Sequence, residues 1–585
     1  MSLSTQSAVF EVNTMLEFHN ATYPNTTTPH PFVENTQYGK LDVFVERVPQ
    51  PPFIIENVLT WDIVFTIDNS GSMSDKCKDN RTKMEHIIHT LSNIVRLFSQ
   101  KDPSAYCFNI YIQIFDTVVT KVLNFTKVSP ENLTSIIELI ENIYPEGQTN
   151  LITPLNICKS LYKERRAQFP QNTFLHIVLT DGEDNCNSES VFDNTSIELQ
   201  YASEFKSIFI GLGITHDCEK LSSFVCKNND NEYYFIDKLE NAGIVYGEII
   251  HNILNIQFIE VKISIENGLV YNWKTNEWVS NMDIGALYAN KHRSFHVKSE
   301  TPQLVKGCIC GQYIHDSKPS RKSIQLDDFT TLPDLIDITT GKKDTVDLTQ
   351  YIYRYIVQNV LYKCVRLSLI DDCGLSFQNF HENPNNTFKK ELAELFTEMK
   401  EYVKKNKETT NTFWNVLLDD IFILYKTINT PYFYMFTLSR YMSQGLQRAY
   451  AVTNIQDLLK DIQNNIRRDA NYIHDIIRNK INNINQTLYT YDTMHTLRTP
   501  TLQREFTQSY NDYDYDYVED ADDVIDPEAV YEVKGIVGYV AENSDIYAET
   551  IHEYLNDEIQ HELSDNIDSP YMTQDIHSVM RSVSC

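Results

Sequence analysis

A chain of 585 residues is too long for one hydrophobic core, so several domains are expected, and 42% hydrophobic with 12% aromatic content supplies material for them. The formal net charge of −30 argues against non-specific nucleic-acid binding, which needs a basic surface to displace counterions. No run of about eighteen apolar residues occurs, so no membrane-spanning helix is expected.

Residues 1–55 are polar and rich in Thr, Asn and Pro. They carry one alternating strand, Leu41-Asp42-Val43-Phe44-Val45-Glu46, closed off by Pro49-Gln50-Pro51-Pro52. The first residues, Met1-Ser2-Leu3-Ser4-Thr5-Gln6, lack the basic start and apolar core of a signal peptide. Eleven cysteines are scattered without a CxxC pair, and Cys308-Ile309-Cys310 is too tight to form half of a typical zinc site. Free thiols and an intracellular location are therefore expected.

Residues 56–255 alternate apolar strands with amphipathic helices. Strands are expected at 62–68, 107–116, 174–180 and 207–213, and helices near 83–99, 131–143, 153–167 and 239–254. The first and third strands are near-continuous apolar runs, as in parallel strands covered on both faces. This alternation predicts an α/β doubly wound parallel sheet, whose ligands sit outside the strands' carboxyl ends at a topological switch point.

Residues 256–345 change to a period of two, as in Phe258-Ile259-Glu260-Val261-Lys262-Ile263-Ser264-Ile265, which predicts a small β-sandwich. The strand at 41–46 is expected to join it, making the α/β domain an insertion between sandwich strands. From 346 to 490 the period is helical. Phe388, Leu392, Leu395, Met399 and Val403 share one face, and an approximately heptad seam runs from Ile455 to Ile484. That seam reads more readily as a helix packed in a bundle than as an exposed dimerising coil, although oligomerisation through these helices stays open. From Asp512 onward about twenty acidic side chains face only Lys534 and Arg581, so 491–585 is expected to be an acidic, disordered tail.

Chemistry concentrates where the first strand ends. The apolar run of Trp61 to Ile67 stops in Asp68-Asn69-Ser70-Gly71-Ser72, and the chain later carries Gly147-Gln148-Thr149-Asn150 and Leu179-Thr180-Asp181-Gly182. By itself an Asp-x-Ser-x-Ser is weak, since a strand-end turn capped by the same side chains would look alike. Here Asp68 and Asp181 both stand at strand exits and Thr149 precedes a helix. Serine and threonine hydroxyls with carboxylates are hard oxygen donors suited to Mg²⁺ or Mn²⁺ rather than zinc. Two charged ligands neutralise a dication without excess, which leaves it able to accept another carboxylate. Glu183 and Asp184 are expected to lie outside this set.

These three segments, in this order and spacing over about residues 57–255, resemble the von Willebrand factor A domains with a metal-ion-dependent adhesion site. The resemblance implies that Ser70, Ser72 and Thr149 contact the ion, that Asp68 and Asp181 hold it directly or through water, and that a partner's Asp or Glu completes the site. The domain order is also similar to that of intracellular A-domain proteins such as plant RING-type ubiquitin ligases. The zinc domain of those ligases has no counterpart in residues 1–55, so ligase activity is not implied. The Asn/Ile/Tyr/Asp-rich composition resembles that of AT-rich protist or giant-virus genomes.

No Gly-rich phosphate loop, His-Glu-x-x-His or nucleophile elbow occurs, and serines are poor ligands for two-metal hydrolysis. His86 and His89 read as ordinary helix residues. The expectation is a metal-dependent protein-binding module in an intracellular scaffold and not an enzyme. The alternative is a structural or virion-assembly protein acting through its helices and acidic tail.

Overall fold

The computed structural model describes residues 8–20, 36–49, 58–77, 79–182, 205–214, 216–227, 231–237, 239, 242–314, 323–332, 345–370, 384–408, 411–428, 432–448 and 571–584. By contacts, Met1–Thr453 with His561–Cys585 form one unit and Asn454–Gln560 a second. All described residues belong to the first. The seam from Ile455 to Ile484 and most of the acidic tail lie outside them.

The chain opens with an antiparallel pair, β1 (Ala8–Phe18) and β2 (Gln37–Pro49). It then enters the α/β domain, with strands β3 (Leu59–Asp68), β4 (Tyr106–Phe115), β5 (Val119–Lys127), β6 (Thr173–Thr180), β7 (Phe205–Leu212) and β8 (Glu232–Ile236). Around them lie helices α1 (Lys83–Ser99), α2 (Leu133–Glu141), α3 (Ile152–Gln168), α4 (Cys218–Lys227) and α5 (Ala242–Asn255). The sheet order is β5-β4-β3-β6-β7-β8, so the order reverses between β3 and β6.

One part of the sequence expectation is corrected. The sheet is mixed rather than wholly parallel, because β5 runs antiparallel to β4. Only residues 116–118 separate these two strands, far too few for the crossover that a parallel neighbour requires. β3 explains the apolar run: Ile63, Phe65 and Ile67 enter the core beneath α1 and α5, while Val64 packs on the opposite face with Tyr162 of α3, Phe174 and Phe205. Asp62, on that second face, is buried and satisfied by Arg165, Asn109 and Asn172.

Beyond α5 come β9 (Ile256–Glu266), β10 (Leu269–Asn272), β11 (Glu277–Val279), β12 (Asn281–Tyr288), β13 (His292–Ser299), β14 (Lys306–Tyr313) and β15 (Ile324–Thr330). They form a five-stranded sheet, β1-β2-β13-β10-β11, and a four-stranded sheet, β12-β9-β14-β15. One core joins both sheets: Leu41, Val43 and Val45 of β2 meet Val261, Ile263 and Ile265 of β9. β2 pairs with β13, not with the α/β sheet, so the α/β domain sits between strands of the sandwich in the chain.

The helices α6 (Thr349–Ile370), α7 (Pro384–Lys405), α8 (Thr412–Thr427) and α9 (Phe433–Leu446) follow. Leu392, Leu395, Met399 and Val403 of α7 are buried, as their spacing requires. Among the described residues no helix is long and apolar enough to cross a membrane.

The end of the chain departs from the expectation of a disordered tail. Helix α10 (Gln574–Ser584) buries Ile576 and Val583, and the Asn93 side chain of α1 donates to the Val583 carbonyl at 3.0 Å. The acidic run hides an amphipathic segment at its end, and the apolar flank of α1 and α5 supplies the surface that orders it. Gly247 permits the approach, since a Cβ there would lie 2.6 Å from the Met580 Cα.

Candidate metal centre

The site lies at the carboxyl ends of β3 and β6, adjacent strands at the point where the sheet order reverses. β3 stops at Asp68, and residues Gly71–Ser74 turn over as a 3-10 segment anchored by the buried Met73. The neighbouring loop is stitched to this turn by backbone bonds. Glu146 N donates to Asn69 O at 2.6 Å and Gly71 N to Gly147 O at 3.1 Å, while Asn150 N ties the same loop to Asp116 O, in the link between β4 and β5, at 2.9 Å. Gly147 has φ +84°, and a Cβ there would stand 2.9 Å from that of Asp116, so this crossing needs glycine for two reasons.

The five residues singled out in the sequence come together. Ser70 Oγ and Ser72 Oγ are 3.1 Å apart, and Ser72 Oγ donates to Asp181 Oδ1 at 2.8 Å. Asp68 accepts from the Ser70 amide at 2.9 Å and from Thr180 Oγ1 at 2.5 Å. Thr149 Oγ1 faces the same point: a Cβ added to Gly182 would lie 2.5 Å from it and 3.5 Å from Asp68 Oδ2. Asp68, Ser70, Thr149 and Asp181 are all buried.

Two buried carboxylates close together are costly unless a cation compensates them. Burial pushes the Asp68 carboxyl above the usual range, against the bonds from Thr180 and Ser70, and the Asp181 charge pushes it further. The structure supplies one cation within the chain. Lys83 Nζ donates to Asp181 Oδ2 at 2.5 Å and lies 3.4 Å from Asp75 Oδ2. Burial alone would depress the Lys83 ammonium, but Asp181 and Asp75 outweigh it and hold the pKa above normal. A capping box aims this lysine. Thr82 Oγ1 accepts from Glu85 N at 3.1 Å and Glu85 Oε2 from Thr82 N at 2.6 Å, which sets Lys83 as the first residue of α1.

Residues 62–247 match the family model described as the von Willebrand factor type A domain. This part of the chain is an A domain. Among solved structures, the chain resembles a von Willebrand factor type A protein from Catenulispora acidiphila at 12% identity and TM-score 0.42, covering 71% of this chain and 91% of that one. It also resembles the ArnB paralog VWA2 from Sulfolobus acidocaldarius at 16% identity and TM-score 0.38, covering 74% and 99%. A third is proximal thread matrix protein 1 from the mussel byssus with a zinc-occupied MIDAS motif, at 18% identity and TM-score 0.26, covering 33% and 45%. No curated protein matches.

The donor set of the A domain fits a small dication. It combines two carboxylates with three hydroxyls, and the space above Gly182 that a Cβ would fill is bounded by Thr149 and Asp68. Among the described residues no three His, Cys, Asp or Glu side chains converge. Glu183 and Asp184 lie outside the described residues.

The sequence alone assigns no role to Lys83, Thr180 or Gly182. Thr180 stands beside Asp181 in the motif, and its hydroxyl reaches Asp68 across the strand pair. Lys83 could be found only by knowing that α1 begins beside the site. His86 and His89 do not reach it: His86 Nε2 pairs with Asp79 Oδ1 at 3.1 Å, and His89 Nε2 with the Asn93 amide at 3.2 Å.

Proposed function

We propose that the A domain is a metal-dependent protein-binding module within an intracellular scaffold, and not an enzyme. One observation carries this reading: Asp68, Ser70, Ser72, Thr149 and Asp181, drawn from three separate loops, converge on one point at the carboxyl end of the sheet. A bound Mg²⁺, or Mn²⁺ in its place, would supply there the electrophilic charge that takes up an Asp or Glu carboxylate of a partner protein. Asp68 and Asp181 balance its charge, and the hydroxyls of Ser70, Ser72 and Thr149 complete a set without further negative charge. The backbone bonds between the loops hold this arrangement before any ion arrives. Thr180 keeps Asp68 oriented, and Ser72 does the same for Asp181.

The test compares capture of binding proteins by wild type and by Asp181→Ala, each with and without chelator, alongside calorimetric titration of Mg²⁺ alone. The expected result is capture by wild type that chelator abolishes, and neither capture nor Mg²⁺ heat for the variant. Capture by Asp181→Ala at full affinity without metal overturns the reading.

A further inference from the structure

At the opposite, amino-terminal edge of the α/β sheet lies a cavity of about 230 Å³ where the A domain, the sandwich and the segment after α9 meet. Its walls are largely apolar and aromatic, with Trp61, Tyr234, Trp273 and Tyr288 among them. In a chain of net charge −30, this lining is cationic. Lys206, Lys274, Lys291, Arg293 and Arg448 face it, against the carboxylates of Glu232, Glu260 and Asp283.

Most of these charges are already matched. Glu232 pairs with Lys206 and, at 3.1 Å, with Arg448, while Lys291 pairs with Glu248 at 2.7 Å. Glu260 and Asp283 are exposed, and Asp283 Oδ1 accepts from the Gly285 amide. Arg293 is different. Its side chain is buried, at 6% exposure, and it donates only to backbone carbonyls, Ile284 O at 2.6 Å and Ala286 O at 3.4 Å. Its Nε is buried with no partner at all. Glu232 and Asp283 act on it electrostatically without bonding it. A buried guanidinium held by two carbonyls and lying 5.1 Å over the Phe295 ring, on the wall of a cavity, retains capacity for an anion.

We propose that this cavity is a binding site for a small aromatic carboxylate, with the acid on Arg293 and the ring between the aromatic walls. The size agrees. A cavity of about 150 Å³ accepts benzene, so this one accommodates a phenyl ring with a short acid chain. Arginine meets a carboxylate with a planar fork of donors, and the ring faces offer stacking partners. The site is separate from the metal centre and does not depend on it.

Phenylacetate and its neutral isostere phenylacetamide, titrated calorimetrically into the full chain, test the proposal. Phenylacetate is expected to bind one to one with Kd below about 1 mM, and the amide about tenfold more weakly or worse. Arg293→Met is expected to remove that difference while leaving amide binding unchanged. Should Arg293→Met fail to fold, Ala286→Phe fills the cavity from β12 and keeps the carbonyls that hold Arg293; it is expected to abolish both titrations. Equal binding of amide and acid by wild type, undiminished phenylacetate binding by Ala286→Phe, or no phenylacetate binding overturns the proposal.

Discussion

Lys83 Nζ sits 2.5 Å from Asp181 Oδ2, so the chain presents its own cation to a carboxylate of the proposed metal site. An arriving dication must displace or share this contact. Lys83→Met is expected to raise Mg²⁺ affinity about tenfold, read by calorimetric titration. In chelator the same variant leaves Asp181 buried without its ammonium and is expected to lose about 3 kcal/mol in urea unfolding. Unchanged affinity would show that the lysine and the ion do not compete.

Gly182 leaves no room for a side chain. A Cβ would fall 2.5 Å from Thr149 Oγ1, closer than any ordinary contact. Gly182→Ala is expected to push Thr149 aside and weaken Mn²⁺ binding by about tenfold or more, while the secondary structure by circular dichroism is retained. Electron paramagnetic resonance of titrated Mn²⁺ provides the measurement.

Asp62 is buried at the start of β3 and takes two bonds from Arg165, at 2.7 and 2.9 Å. Removing the partner of a buried charge strands it. Arg165→Leu is expected to destabilise the protein by about 3–5 kcal/mol in denaturant unfolding, with little effect on Mg²⁺ binding at the proposed site. Metal binding that falls as much as stability would contradict this separation.

Two buried histidines predict acid sensitivity. His176, bonded to Thr66 and Ser207, and His216, bonded to Tyr233, are pulled down by burial to about 3 and about 4. The unfolded chain takes up a proton on each near pH 6.5, whereas the folded chain does not until far lower, so stability falls as pH drops through that window. At pH 5 each is expected to cost about 2 kcal/mol relative to pH 7.5. His176→Gln should flatten the pH dependence of urea unfolding between pH 7 and 4. An unaltered slope would show that His176 is not the source.

The docking of α10 hinges on Gly247, whose missing side chain admits the Met580 backbone. Gly247→Val is expected to release residues 574–584, with amide exchange there rising by at least about tenfold while β3 and β6 stay protected. Protection that persists in the variant would mean that Gly247 does not control the contact.

Much of this protein was legible before its structure. The near-continuous apolar runs of β3 and β6 are those expected of parallel strands covered on both faces, and their exits marked Asp68 and Asp181. β5 escaped notice because an edge strand has a weak burial pattern, and β1 because it lies in a polar, Thr- and Asn-rich stretch. The antiparallel turn of β5 could have been inferred from the short link after Phe115.

Local periodicity and turn chemistry reach only a few residues along the chain. They therefore determined many of the strands and helices and the residue types of the proposed metal site, which are properties of segments. Which segments meet is settled by burial across the whole chain. Tertiary packing alone brought Lys83 to Asp181, Thr180 to Asp68 and α10 to Gly247. It also left Arg293 facing a cavity that no single stretch of sequence encloses.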